Sequence, residues 1–87
     1  MADSTALKES FGRVVARYRF EAGLEQRMLS RMANLGNSHL RSIERGEVAP
    51  SIITVMKLSE ALDIDPGDLL GEAYEEARRM RQAAVGP

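Results

Sequence analysis

The chain contains no cysteine, so neither a disulfide framework nor a thiolate metal site is open to it, and a cytoplasmic home fits that absence. Its one histidine, His39, leaves no histidine-based metal cluster to build. There is no apolar run of the roughly eighteen residues that a membrane-spanning helix needs. The start of the chain also lacks the charged-then-apolar pattern of an export signal. Missing too are a nucleophile elbow, a glycine-rich phosphate loop and carboxylates paired at catalytic spacing. These absences point to a soluble chain with no enzymatic activity, no cofactor, no metal and no membrane. What is present, 87 residues with 44% apolar content, supports one small core and leaves no room for a second domain.

Strong charge of either sign is absent as well. The formal net charge is -1, which by itself argues against a phosphate-bearing partner. The total conceals a split. Between Phe11 and Gly46 stand Arg13, Arg17, Arg19, Arg27, Arg31, Arg41 and Arg45, against Glu21, Glu25 and Glu44. Between Glu47 and Glu76 acids dominate and Lys57 is the one base. A basic first half and an acidic second half give the molecule two unlike faces, which orients it on approach to a polyanion.

Apolar periodicity predicts five helices. Residues 1–4 have no pattern and read as a frayed end, with Asp3, Ser4 or Thr5 as the first cap. Leu7, Phe11, Val14, Val15 and Tyr18 make an inward stripe on a helix from about Thr5 to Ala22, which Gly23 ends. Leu24 anchors the turn, and Met28, Leu29 and Met32 form the buried side of a short helix from about Gln26 to Ala33. Asn34 takes a left-handed reversal, the conformation asparagine tolerates best after glycine. Gly36 then caps a third helix, from about Asn37 to Arg45, with Leu40 and Ile43 inward and Asn37, Ser38, Arg41 and Ser42 on the opposite face. Gly46 stops it. Ser51 caps a fourth helix from about Ile52 to Leu62, with Ile53, Met56, Leu58, Ala61 and Leu62 as core candidates. Asp65, Pro66 and Asp68 open the last helix, which runs into an Ala- and Arg-rich tail.

In that tail Leu70, Ala73, Ala77, Met80 and Ala84 recur at spacings of a two-heptad seam. Two uses are open to it. The seam either folds onto its own core and frays beyond about Arg78, or joins Leu69 and Tyr74 as a contact between two copies.

The stretch Gln26 to Gly46, QRMLSRMANLGNSHLRSIERG, thus reads as two short helices crossing about a tight Asn34-Leu35-Gly36 turn. From Phe11 to Leu70 the chain resembles the phage-repressor and Cro type of helix-turn-helix, the XRE family. The resemblance is carried by Arg19, Gly23-Leu24-Glu25-Gln26, Ser30, the LRSIERG run from Leu40 to Gly46, Pro50-Ser51 and Asp68-Leu69-Leu70. Asn34 and Gly36 depart from it, standing where the family usually has glycine and serine or threonine; Ala33 replaces a usually larger apolar residue.

The resemblance implies an all-α, five-helix lambda-repressor-like DNA-binding domain over 11–70. Residues 1–10 precede it with the start of the first helix, and 71–87 follow as a helical tail and dimer contact. It implies base contacts from Asn37, Ser38, Arg41 and Ser42, and it makes Arg19 and Glu44 a structural ion pair. Gln26, at a helix start that favours an anion, is implied as a phosphate contact, flanked by Arg27, His39 and Arg45. The amide of Asn37 suits adenine in bidentate fashion, and the fork of Arg41 suits guanine. Ser30 is expected to be small because the third helix crosses closely there, and to bond back to the Gln26 carbonyl.

The expected function is sequence-specific transcriptional regulation, as a repressor or controller protein, by a homodimer on roughly palindromic double-stranded DNA, with Leu69, Leu70, Ala73, Tyr74, Ala77 and Met80 at the dimer contact. In size and build the chain is similar to restriction-modification controllers, Cro-like phage regulators and antitoxin repressors. The rival is a protein-binding module, such as an antitoxin, in which a protein partner takes precedence over DNA; the acidic second half supports it.

Overall fold

The computed structural model describes residues 4–85. Five helices follow one another: α1 (Thr5–Glu21), α2 (Gln26–Met32), α3 (Asn37–Glu44), α4 (Ile52–Leu62) and α5 (Pro66–Val85), with no strand among the described residues. The expected fraying of Met1 to Asp3 and the Asp3 cap lie outside those residues, as does the end of the tail, 86–87. Ser4 occupies the cap position of α1 but makes no side-chain cap bond.

Local chemistry explains each boundary. After α1, Gly23 turns left-handed at φ 72° and the Leu24 N–H bonds back to the Arg19 carbonyl at 3.0 Å. Asn34 adopts φ 54° after α2, and Gly46 adopts φ 75° after α3. The Ser51 hydroxyl accepts the Thr54 N–H at 3.1 Å and so caps α4. A left-handed Asp63, φ 55°, ends α4; the sequence reading did not mark this stop. At the start of α5 the Asp65 carboxylate accepts the Gly67 N–H at 2.7 Å and the Asp68 N–H at 3.3 Å.

The core collects Phe11, Val14 and Val15 of α1, Leu29 of α2, Leu40 and Ile43 of α3, Val55 and Leu58 of α4, and Leu69 and Ala73 of α5, with Ala33 at the end of α2. Each large aliphatic removed from water contributes about 1.5–3 kcal/mol. Leu24 and Leu35 pack against this cluster from the two turns of the α2 region.

Several expected core residues lie outside. Met28 and Met32 are about half exposed, leaving Leu29 and Ser30 as the buried side of α2. On α4, Ile53 and Met56 face solvent, while Thr54, Val55, Leu58 and Ser59 turn inward. The tail is divided. Leu69, Ala73 and Ala77 are buried in their own chain, so these three are not available to a second copy as the seam reading requires. Leu70 and Tyr74 remain exposed and Met80 half-buried.

The burial of Leu69, Ala73 and Ala77 comes from α5 lying along α1. Arg13 pairs with Glu76 at 3.8 Å and Arg17 with Glu72, which makes the two helices antiparallel. Tyr18 also donates its hydroxyl hydrogen to Glu72. That bond, with burial and the negative carboxylate, raises the Tyr18 phenol above its usual range.

Candidate nucleic-acid interface

Helix α3 is positioned by its backbone as much as by its side chains. Leu40 and Ile43 are fully buried beneath it. At its far end Gly12 of α1 approaches so closely that an added Cβ would meet the Glu44 carbonyl oxygen at 2.7 Å and the Glu44 carbonyl carbon at 2.9 Å. Only glycine permits that approach. No periodicity signal marks Gly12, because the requirement is set by the distance between two helices and not by either helix alone.

The same end of α3 is gripped by charge. Arg19 donates Nε to Glu44 Oε2 at 2.7 Å and Nη2 to Oε1 at 3.0 Å, while its Nη1 reaches the Leu24 carbonyl at 2.9 Å. The guanidinium also lies 4.8 Å from the centre of the Phe20 ring. Gln26 joins the network, its Nε2 donating to Glu44 Oε1 at 2.9 Å. One carboxylate therefore ties together α1, α2 and α3, and Arg19 adds the α1–α2 turn. For Gln26 this bond is a role the sequence did not suggest, and it leaves one amide hydrogen for any other acceptor. Ser30 is buried at the α2–α3 crossing as expected, but its hydroxyl bonds the Arg27 carbonyl at 2.8 Å, not that of Gln26.

The outer face of α3 carries Ser38, His39, Arg41 and Arg45 exposed, with Asn37 and Ser42 half-buried. Gly36 precedes it in extended geometry, φ -66° and ψ 143°, and supplies no side-chain cap. A shallow recess opens between the starts of α2 and α3, lined by Arg19, Glu25, Gln26, Arg27 and Asn37. Within this group the Asn37 Oδ1 is buried and has no hydrogen-bond partner.

The arginines sort into two sets. Arg13, Arg17, Arg19, Arg78 and Arg79 are engaged by carboxylates. Arg27, Arg31, Arg41, Arg45 and Arg81 form no ion pair among the described residues. All of the unengaged arginines but Arg81 of α5 lie on α2, on α3 or just beyond α3, so they concentrate on the two-helix unit. Among the described residues no cluster of His, Cys, Asp or Glu is arranged to hold a metal, and no helix is long and apolar enough to cross a membrane.

Comparison with known proteins agrees with this geometry. A helix-turn-helix family model matches residues 15–69. An uncharacterized HTH-type transcriptional regulator, y4dJ of Sinorhizobium fredii, is 31% identical over 64 residues, covering 74% of this chain and 83% of the relative. The restriction-modification controller protein C.AhdI of Aeromonas hydrophila superimposes with a TM-score of 0.69 at 34% identity, over 70% of this chain and 92% of that one. The clp gene regulator ClgR of Corynebacterium glutamicum gives a TM-score of 0.80 at 25% identity, over 91% and 85%. With the five-helix lambda-repressor-like fold, the paired Arg19 and Glu44 and the exposed polar face of α3, the chain belongs to the XRE-type helix-turn-helix family of DNA-binding transcriptional regulators.

Proposed function

We propose that the protein regulates transcription as a homodimer in the cytoplasm, each copy placing α3 in the major groove over one half of a roughly two-fold operator. The observation that carries the reading is the uneven pairing of its arginines: those on α2 and α3 are left without internal partners, whereas those on the α1–α5 side, Arg81 excepted, are paired. Phosphates supply the missing counter-charge. Arg27, His39, Arg45 and the second amide hydrogen of Gln26 hold the backbone, and Asn37, Ser38, Arg41 and Ser42 meet base edges. The likeness to the controller protein C.AhdI and the gene regulator ClgR supports a role in gene regulation.

A reading head of one short helix gains affinity by pairing half-sites, and the surface that serves this best lies on α4 and α5. From Val48 to Met56 the chain carries no charge; Ile52, Ile53 and Met56 are exposed, and so are Leu70 and Tyr74 of α5. An apolar, uncharged face in a chain with 29% charged residues suits its own copy, since a two-fold contact sets each group near its twin and like charges would repel. Leu70, Tyr74 and Met80 keep their place in this contact, and α4 supplies what the buried Leu69, Ala73 and Ala77 cannot.

Binding to random and pool-selected DNA over a salt series tests the proposal. Neutralising about 6 to 10 phosphates entails a loss on the order of a thousandfold or more between roughly 50 and 200 mM salt. A flat response would leave the protein-binding reading in its place.

A further inference from the structure

We infer that Asn37 reads its base as a hydrogen-bond donor alone, and that the operator offers it an acceptor edge, guanine best, in place of the adenine its residue type suggests. The inference rests on α3 being the DNA-reading helix.

Its ground is the unequal fate of the two ends of one amide. Oδ1 is buried without a partner, while Nδ2 is not among the buried orphaned atoms and donates to no protein atom among the described residues. The nitrogen therefore reaches the surface with both hydrogens unused, at the first position of α3, beside the recess formed with Gln26 and Arg27. Adenine presents N7 as acceptor and N6 as donor, so recognising it fully takes both an Oδ1 and an Nδ2. Guanine presents two acceptors, N7 and O6, and cytosine presents only a donor, N4. An amide offering Nδ2 alone matches guanine twice and cytosine not at all.

The rest of the face has the same polarity. Arg41, one turn further on, is a donor without an acceptor function, and the acid of α3, Glu44, is committed to Arg19 and Gln26. No carboxylate on α3 is left to accept from cytosine N4 or adenine N6. The two serines can take either role.

Selection from a random DNA pool with the wild-type chain, Asn37→Ala and Asn37→Asp tests this, with circular dichroism confirming the helices of each. The base pair whose preference relaxes in Asn37→Ala is the one that Asn37 reads, and affinity for the preferred site is expected to fall about ten- to a hundredfold. At that pair the wild type is expected to select guanine on one strand. Asn37→Asp, which replaces the donor by an acceptor, is expected to select cytosine on that strand. Adenine in the wild-type motif, guanine retained by Asn37→Asp, or no position that relaxes in Asn37→Ala would each overturn the assignment while leaving DNA reading intact. A wild-type pool that yields no motif at all would overturn the reading of α3 itself, and this assignment with it.

Discussion

Arg19 holds Glu44 with two prongs of its guanidinium, at 2.7 and 3.0 Å, and both side chains are at least nine-tenths buried. A pair so enclosed is costly to break from one side, because the survivor is left charged and unmatched, at about 3–5 kcal/mol. Arg19→Ala is therefore expected to remove much of the stability of an 87-residue domain, read as a large fall in the urea midpoint. Arg19→Lys keeps the charge but loses the fork and should fall between. Replacing both partners, as Arg19→Met with Glu44→Leu, is expected to restore much of the stability yet weaken DNA binding, since Gln26 loses the carboxylate that orients it. Equal loss in the single and double variants would show that the pair acts through something other than its charge.

Two glycines make an opposed pair of predictions. At Gly12 an added methyl runs into the backbone of α3, whereas at Gly71, exposed on α5, it meets nothing within 4 Å. Gly12→Ala is expected to cost about 1–3 kcal/mol by forcing α1 and α3 apart. It should also erode discrimination between operator and random DNA more than it erodes nonspecific binding. Gly71→Ala should stabilise by about 0.5–1 kcal/mol, as alanine does in a helix interior. Thermal melts of the two variants check the signs.

The helix starts and stops at Ser51, Asp65, Gly23, Asn34 and Gly46 were legible because they are local chemistry, each acting through a bond or a backbone angle within a few residues. The Arg19–Glu44 pair was legible through family resemblance. The facing of α4 was not. Ile52, Ile53, Val55, Met56 and Leu58 are apolar at nearly every position, so helical period does not select a side; packing against α1, α2 and α5 selected Val55 and Leu58. Met28 and Met32 misled for a related reason, since a seven-residue helix is too short for a stripe to declare its phase. In the tail the spacing picked out Ala73 and Ala77, small enough to let α1 close over them, together with Leu70 and Ala84, which are exposed.

That division of the tail changes which substitutions ought to separate two copies. Ile52 is 67% exposed and Ile53 58%, so Ile52→Asp or Ile53→Asp leaves the core untouched. Each is expected to raise the monomer fraction in sedimentation equilibrium with little change in the thermal melt, and to lower operator affinity. Leu70→Asp with Met80→Asp should act in the same direction. Leu69→Asp is the contrasting control: it buries a charge at a fully enclosed position and should unfold the domain outright. An unchanged dimer in Ile52→Asp and Ile53→Asp would remove α4 from the contact.

The clasp at Glu72 offers a weaker, tunable attachment. Arg17 and Tyr18 both donate to this one carboxylate, which holds α5 to the end of α1. Arg17 and Glu72 are 46% and 39% exposed, so solvent screens the pair and its contribution is about 0–1 kcal/mol. Glu72→Gln is accordingly expected to shift the urea midpoint slightly at low salt and hardly at all near 1 M, where the Debye length is about 3 Å. Tyr18 adds a dependence on pH. Its phenol is raised in the folded chain, chiefly by the bond to Glu72, so the stability it contributes is complete below the unfolded value near pH 10 and is lost as pH climbs through the folded value. Once ionised, the phenolate faces the Glu72 carboxylate as a like charge. Stability is therefore expected to decline on the alkaline side more steeply in the wild type than in Tyr18→Phe, and urea titrations at stepped pH values read the difference. Parallel declines in the two would place the alkaline loss in other groups and reduce the Tyr18 contact with Glu72 to packing.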